Sequence, residues 1–484
     1  MFSLEYFKYL LKSRKYLLLF VFLITLLNIL GTRDPKTYLI IQAFLSLAMT
    51  FILPLNIFYY IHDRKAIDTF FSIPVSRKAL LVTGLVFCIL GVYLPFGLSI
   101  VCYGIGVKTG LMIIVYLLEM LLAVMTLIVF HTLLYMIANN AIDGVVMAAA
   151  YTCMPLVLLF VLYSYTNSFV CGMNNFDFTF VSYLSPIYLS GRLFASFKKI
   201  SSDNVVPLGA IIGLLVILGI AAYLLYRSYL NRAVERANTS SNGFFAYPAV
   251  IYTYAFLVLL LISSFFSFYY SDVFEFFREF FIAYLLLFAV FVAAHFVYKR
   301  KFYFSYKLPL FYCIALVISI VFALVCRQTH GFGLSYAYPK NDYKAYYTMS
   351  CWYNRFENYN RELFDYCESQ IGTSIEDVSV YVEANDKYHN TEINEKTYEI
   401  FDEMRKDAID KFYGDHNGYR SIYLLIDSSK DNNYYNYDVG TDLRVDQLKQ
   451  LAADDNVKVT VVLDYEEFVM DKDGNLKKEI IIYK

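Results

Sequence analysis

The sequence predicts a polytopic α-helical membrane protein of about nine spans, followed by a small α+β domain. Of its 484 residues, 58% are hydrophobic and 17% are charged, whereas soluble globular proteins are about 45–50% apolar and about 25% charged. Several uninterrupted apolar runs reach the roughly 20 residues that a helix needs to cross a bilayer. After Cys326 apolar residues become sparse, and Asn, Asp and Tyr become common. This change in composition predicts a separate soluble domain after the membrane part.

Nine apolar segments mark the predicted spans. The first is short, but the long basic side chains of Arg14, Lys15 and Arg33 can reach the membrane surface from its ends. The predicted spans are Tyr16–Leu30, Tyr38–Ile61, Ala79–Tyr103, Gly110–Ala138, Gly144–Tyr163, Val206–Tyr226, Ala249–Phe268, Phe281–Tyr298 and Leu308–Cys326.

Span count and composition divide the chain into three parts. Residues 1–237 hold a six-span core, residues 238–326 hold three additional spans, and residues 327–484 form the soluble α+β domain. The first 326 residues carry 22 Lys and Arg against 12 Asp and Glu, a net charge of +10, and the remainder carries 19 against 30, a net charge of −11. The near-zero total charge therefore combines a basic membrane part with an acidic domain.

The distribution of basic residues predicts the orientation, because short loops rich in Lys and Arg lie on the cytoplasmic side. The amino terminus and alternate loops are the basic segments, which places the amino terminus in the cytoplasm of a cell (plasma) membrane protein. Nine spans then place the carboxy-terminal domain outside. The loop Asn139–Asp143 is assigned to the inside although it contains no Lys or Arg. The basic residues of the inner segments are Lys8, Lys12, Arg14 and Lys15; Arg64, Lys65, Arg77 and Lys78; Arg227, Arg232 and Arg236; and Lys299, Arg300, Lys301 and Lys307.

The longest outer connection, Tyr165–Val205, is apolar and aromatic but is interrupted by Pro186 and Gly191. It is too broken for a span. Either an interfacial or re-entrant segment or an ordinary structured loop fits this pattern.

Local patterns predict the elements of the soluble domain. Alternation of apolar residues predicts strands, and helical spacing predicts helices, one of which Asn394 caps. Asp471–Asn475 favours a hairpin turn over a calcium loop, because Leu476 stands where the calcium pattern requires Gly. Cys351 and Cys367 could form a disulfide outside the cell or remain free. The predicted strands are Glu376–Ala384, Ser421–Asp427, Val457–Met470 and Leu476–Tyr483; the predicted helices run from Asn394 to Gly414 and over Val445–Ala453.

A polar segment, His62–Lys78, lies between the second and third spans. Ile67, Phe70 and Phe71 are spaced i, i+3 and i+4, which places them on one face of a short helix. Ile73 precedes Pro74, so we expect the helix to end there. We interpret this segment as an amphipathic helix that presents its apolar face to a partner on its own side of the membrane.

The chain lacks common catalytic motifs. It contains no G-x-x-x-x-G-K-[ST], H-E-x-x-H, C-x-x-C or G-x-S-x-G sequence. We therefore expect no nucleotide site, no resident cofactor or metal, and no enzymatic activity of its own. Glu119 and His131 lie in the fourth span and His295 in the eighth, where polar groups mark either a substrate path or hydrogen-bonded packing.

Two sequence stretches resemble a transporter family. FFSIPVSRKALL (Phe70–Leu81), after two spans and a basic amino terminus, is similar to the first cytosolic loop of ABC-transporter permeases of the type-2 exporter superfamily. YLSPIYLSGRLF (Tyr183–Phe194) resembles the re-entrant outer elements of that family. The three extra spans and the outer domain resemble longer permeases of low-GC Gram-positive bacteria. The resemblance implies that the His62–Lys78 loop holds the coupling helix that docks on a separate cytosolic ABC ATPase, with Ile67, Phe70, Phe71, Arg64 and Arg77 at the contact.

Three functions follow from these observations. The first is a permease subunit of an ATP-driven exporter, acting with a second permease copy or paralogue in the lipid bilayer on a peptide, antibiotic or lipid-like cargo. The second is a non-transporting membrane sensor or immunity protein, whose acidic outer domain binds an envelope ligand. The third is a membrane-embedded enzyme using Glu119 and His131, which we rank last. We expect no nucleic-acid partner.

Overall fold

The structure is a computed structural model. The residues that it describes are 2–31, 35–107, 112–172, 179–196, 208–237, 239, 243, 245–266, 273–299, 305–337, 342–355, 360–385, 391–413, 422–428, 433–439, 443–464 and 466–478. Contacts divide the chain into two compact units. The first unit contains Met1–Phe160, Phe178–Leu257 and Leu285–Leu310; the second contains Val161–Asp177, Val258–Tyr284 and Phe311–Lys484.

The part of the chain before the sheet is helical in its described residues. Its helices are α1 (Leu4–Ser13), α2 (Lys15–Gly31), α3 (Pro35–Ile57), α4 (Arg64–Ser72), α5 (Arg77–Val107), α6 (Met112–Ile137), α7 (Ala141–Phe169), α8 (Thr179–Ser182), α9 (Pro186–Ser196), α10 (Leu208–Leu230), α11 (Tyr247–Ser264), α12 (Val273–Lys299), α13 (Lys307–Gln328) and α14 (Leu334–Ala337).

Seven described helices, α5, α6, α7 and α10–α13, are long and apolar enough to cross a membrane. They coincide with seven of the nine predicted spans, which is consistent with a polytopic helical membrane protein. The first two predicted spans fall on α2 and α3, whose described apolar parts, Lys15–Asn28 and Ile41–Ile57, are shorter. The count of nine therefore stays a prediction. The predicted starts at Gly110 and Val206 and the predicted end at Phe268 lie outside the described residues.

In the first unit, helix α1 lies beside the ends of α3 and α5. The backbone N–H of Ser3 donates to Thr83 Oγ1 at 3.0 Å, and the guanidinium of Arg14 donates to the carbonyl of Asn56 at 3.5 Å. The amino terminus and the His62–Lys78 segment therefore share one face of this unit, as the alternation of basic loops predicts.

The loop Asn139–Asp143 lies on that same face. The guanidinium of Arg232, after α10, donates to the carbonyl of Ala138 at 2.9 Å. The Tyr247 ring at the start of α11 lies 5.4 Å from the Tyr298 ring at the end of α12. These segments therefore meet within the first unit, and the side of the membrane on which they lie stays a prediction.

The described part of the interrupted segment Tyr165–Val205 contains the short helix α9, which is partly buried. Helix α9 buries Leu189 and Leu193 against Ala123 of α6 and against Ala210 and Leu214 of α10. This packing fits the expected interfacial or re-entrant segment. The residues of Tyr165–Val205 numbered 173–178 and 197–205 lie outside the described part of the chain.

The second unit contains a seven-stranded antiparallel sheet. Its order is β4-β3-β1-β2-β5-β6-β7, so β4 and β7 form the edges. The strands are β1 (Tyr346–Asn354), β2 (Asp377–Ala384), β3 (Ile422–Ser428), β4 (Asn433–Val439), β5 (Val457–Leu463), β6 (Glu466–Met470) and β7 (Leu476–Lys478), and the helices are α15 (Arg361–Ile371), α16 (Glu395–Tyr413) and α17 (Val445–Ala452).

Several predicted elements of this domain are confirmed. The side chain of Asn394 accepts from Thr397 N–H at 2.8 Å and caps α16. The turn at Asp471–Asn475 joins β6 and β7, with Asp471 Oδ1 accepting from Asn475 N–H at 2.8 Å. One prediction is wrong: Val457–Met470 is two strands, because the chain turns at Asp464, which has φ of +43°.

Other predictions here lie partly beyond the described residues. The predicted ends at Gly414 and Tyr483 and the predicted start at Ser421 fall outside them. Strand β1 and helix α15 were missed by the sequence analysis.

The chain after α7 is built into the sheet domain. Val170 and Cys171 belong to its buried core, and the carbonyl of Gly172 accepts from Asn436 N–H of β4 at 2.7 Å. Gly172 has φ of +78°, and a Cβ there would lie 2.3 Å from the Tyr437 ring. The segment Val170–Gly172 therefore fits against the edge strand only with glycine at its end.

Candidate docking helix

Helix α4 forms in the His62–Lys78 segment as predicted. Asp63 caps its start, with Oδ1 accepting from Lys65 N–H at 3.0 Å. The helix ends at Ser72, and Ile73 is extended (φ −64°, ψ 141°) because it precedes Pro74.

The apolar face of α4 packs inward. Ile67 is fully buried. The Phe70 ring stacks on Tyr60 at 4.3 Å and meets the Tyr6 ring of α1 edge-on at 6.2 Å. The Phe71 ring meets Tyr229 of α10 edge-on at 6.2 Å. The face that the sequence analysis expected to be presented to a partner is thus used within the chain itself.

The outward face of α4 is charged and polar. Arg64, Lys65, Asp68, Thr69 and Ser72 are exposed. A partner protein can reach these residues more fully than Ile67, which is fully buried, or Phe70 and Phe71, which are half-buried.

Two of the predicted contact arginines also hold the helix in place. Arg64 Nη2 donates to the carbonyl of Glu235 at 3.2 Å. The Arg77 guanidinium lies 4.1 Å from the centre of the Phe71 ring and donates to the carbonyl of Arg232 at 3.5 Å. Because such stacked and hydrogen-bonded arginines fix orientation, they tie α4 to the chain that follows α10.

A buried arginine joins this segment to α6. Arg232 is 8% exposed, and its guanidinium donates to the carbonyls of Met136 at 2.7 Å and Ala138 at 2.9 Å. These carbonyls end α6, where a cation is favourable. Burial, and then the nearby Arg236, lower the pKa of Arg232 to about 10, so it remains charged at neutral pH.

His62 lies beside this arginine and stays neutral. Its ring meets the Tyr135 ring at 4.2 Å. Burial, followed by the charge of Arg232, lowers the pKa of His62 to about 3. Sequence reasoning included His62 in the segment but missed both His62 and Arg232 as packing residues, because the contacts that bury them are distant in sequence.

The two predicted path residues lie on the same helix and do not meet. Both Glu119 and His131 are buried in α6, and twelve residues of helix separate them by about 18 Å. His131 Nδ1 lies 3.1 Å from the carbonyl of Thr50, and its ring meets Phe51 edge-on at 5.3 Å. This geometry excludes a direct Glu–His dyad and favours packing for His131.

His295 of α12 is also a packing residue. Its Nε2 lies 3.3 Å from the hydroxyl of Tyr252, and its ring packs against Phe291.

Sequence reasoning missed a buried polar group in the first three apolar helices. Asn28 Nδ2 donates to Gln42 Oε1 at 3.0 Å, and Gln42 Nε2 donates to the carbonyl of Phe96 at 3.4 Å. Tyr38 and Ser99 share a further buried hydrogen bond. Each polar residue stands alone in an apolar run, and that isolation was the available signal.

The eight cysteines are free thiols. Cys351 and Cys367 are buried in the sheet domain, and burial raises the pKa of each thiol to about 12. They form no disulfide in this structure. Within the described part of the chain, no three His, Cys, Asp or Glu side chains are grouped as metal ligands.

In its described residues the protein is mostly helical, with seven helices that could span a membrane and a small antiparallel sheet domain. No family model, no curated protein and no solved structure matches this chain. The resemblance of two sequence stretches to a transporter family therefore stays a prediction.

Proposed function

We propose that this chain is the permease subunit of an ATP-driven exporter, which couples to a separate cytosolic ATPase through the His62–Lys78 segment. One observation carries this proposal: α4 is an amphipathic helix between two apolar helices, with its apolar face packed on α1 and α10 and its charged face exposed. The chain has no phosphate-binding loop, so the partner must supply ATP hydrolysis.

The packing of α4 supports transmission of force. Ile67, Phe70 and Phe71 act as positioning residues, since a push on the outward face moves the Phe70 ring against Tyr6 and the Phe71 ring against Tyr229. Packed cores switch between discrete arrangements rather than deforming continuously. An ATPase that binds one arrangement more tightly would shift the helices towards it.

The cytoplasmic side is assigned to the face that carries α4. The basic loops support this assignment, and the sheet domain is placed outside the plasma membrane. The position of Val170 and Cys171 supports placing the sheet domain on the same side as the end of α7. These residues and the chain after α13 belong to one core, and four predicted spans, α10–α13, lie between them. An even number of crossings returns the chain to the same side.

The cargo is placed among the apolar helices. Polar groups that are buried at membrane depth mark substrate paths. The candidates for such a path are Glu119, Asn28 and Gln42. We propose a peptide, antibiotic or lipid-like cargo and an assembly of two permease copies, or of this chain with a paralogue.

Association with an ATPase tests the proposal. We expect the protein to co-purify with a nucleotide-binding subunit and Lys65→Glu to weaken that association about tenfold, because the exposed ammonium of α4 is reversed. Lys12→Glu is the matched control, since Lys12 is an exposed lysine of α1 on the same face. Equal loss in both variants, or no ATPase partner, would reject the assignment.

A second candidate is the sensor or immunity protein. The acidic domain, with its net charge of −11, favours it. A protein that binds an envelope ligand and has no ATPase partner would support this alternative over the exporter.

A further inference from the structure

One face of the sheet carries a cluster of exposed aromatic side chains. Trp352 of β1, Tyr381 of β2 and Tyr423 of β3 are 49%, 48% and 47% exposed. The residues that alternate with them, such as Cys351 and Val380, pack in the core of the domain. Large aromatic residues grouped on a soluble surface usually mark a binding site.

The strand register turns this cluster into a groove. Ser350 of β1 pairs with Tyr381 on one side and with Tyr423 on the other. Neighbouring strands lie about 4.8 Å apart, so the Cα atoms of the two tyrosines are about 9.6 Å apart, with a small serine between them. The resulting groove has a volume of about 300 Å³, with Thr348 and Ser350 among its lining residues.

The groove contains a carboxylate. Glu383 is the one ionisable carboxylate among the described residues that line it, and it is exposed on β2. It pairs in register with Thr348 on one side and with Lys458 on the other. The domain around it carries a net charge of −11, which attracts cationic ligands over distance.

Aromatic walls beside a carboxylate suit one kind of ligand. A guanidinium or ammonium group is attracted to the faces of aromatic rings. The planar guanidinium also stacks on tyrosine and forms paired hydrogen bonds with a carboxylate.

We propose that this groove binds the basic side chains of a cationic peptide, arginine foremost, between the rings of Tyr381 and Tyr423 with Glu383 as the counter-charge. The site goes beyond the proposed transport function and is independent of it. Binding at this site requires no ATPase, and the test measures binding alone.

The chain contains its own reporter for this site. Trp352 is the single tryptophan among the 484 residues, and it stands two residues from Ser350 on the same face of β1. Full-length protein in a neutral detergent is titrated with octa-arginine while tryptophan emission is recorded. We expect a saturable change with octa-arginine and none with octa-glutamate.

Matched variants locate the site. We expect Glu383→Gln to weaken binding about tenfold, and the double variant Tyr381→Ala with Tyr423→Ala to weaken it at least as much. Glu466→Gln removes the same charge from β6, on the side of the sheet that carries the buried Phe468 and Met470, and should leave the affinity within about twofold.

A gain of affinity guards against misfolding as an explanation. Lys458→Gln removes the cation opposite Glu383, so we expect binding to strengthen about threefold, which an unfolded variant cannot produce. The proposal is overturned if octa-arginine gives no saturable change. It is also overturned if Glu383→Gln and Glu466→Gln bind equally, because binding would then reflect only the general acidity of the domain.

Discussion

Replacing Arg232 with alanine should loosen the whole docking region. The change removes two hydrogen bonds from a buried guanidinium to the carbonyls of Met136 and Ala138. Hydrogen bonds to charged groups contribute about 1.5–3 kcal/mol each. Water entering the vacated site offsets part of this loss, so we expect about 3 kcal/mol of destabilisation. The end of α6 and the neighbouring His62 would lose their common anchor.

Hydrogen exchange measured by mass spectrometry reads this effect locally. In Arg232→Ala we expect faster exchange over residues 61–72 and 131–137, together with a thermal midpoint lowered by about 5 °C or more. The control is Arg227→Ala, which removes an exposed arginine of α10 and should leave both readouts unchanged. If the two variants exchange alike, Arg232 does not anchor α6 and the reasoning fails.

Three further changes test separate parts of the structure. Gly172→Ala should destabilise the sheet domain by about 1–3 kcal/mol in denaturant unfolding followed by Trp352, since its Cβ would strike Tyr437; unchanged stability would place the Val170–Gly172 segment elsewhere. Gly144→Ala should lower thermal stability, because its Cβ would lie 2.5 Å from the Tyr135 ring, and a neutral result would contradict that close approach. The pKa of His62 is lowered from 6.5 to about 3 in the folded protein, so the unfolded state binds the proton first. Stability should fall as the pH drops below about 6.5, by roughly 2 kcal/mol at pH 5, and His62→Phe should remove that slope.

The helical part was predictable because its signal is local. Apolar runs of about 20 residues specify spans without reference to the rest of the chain, and α5–α7 and α10–α13 lie where the sequence places predicted spans. The amphipathic spacing of α4 and its end before Pro74 were equally local. The residues against which α4 packs could not be predicted from local sequence, because Tyr229 lies more than 150 residues further along the chain.

The sheet was only partly predictable because its alternation is concealed. Strand β1 buries every second residue, but Tyr346 and Trp352 at two of its outward positions weaken the polar alternation that Thr348 and Ser350 provide. Strand β2 places Ser379 and Glu383 outward, which made its period of two visible.

The predicted site was right about the helix and incomplete about its exposed face. Spacing identifies Ile67, Phe70 and Phe71 as one apolar face, but spacing alone does not say whether that face contacts the chain itself or a partner. In the structure Ile67 is fully buried, and Phe70 and Phe71 are half-buried against the core of the first unit. The coupling role stays a prediction, and Lys65, Asp68 and Thr69 become the residues through which it is tested.

Site-specific photo-crosslinking measures the central claim most directly. A photoreactive amino acid at Thr69, on the exposed face of α4, should crosslink in native membranes to a protein that carries a phosphate-binding loop. The same group at Ile67, which is fully buried, should react only within this chain. We expect an ATPase adduct at position 69 whose yield changes with ATP. A position-69 probe that yields no ATPase adduct, while the protein still exports or still folds normally, would contradict it.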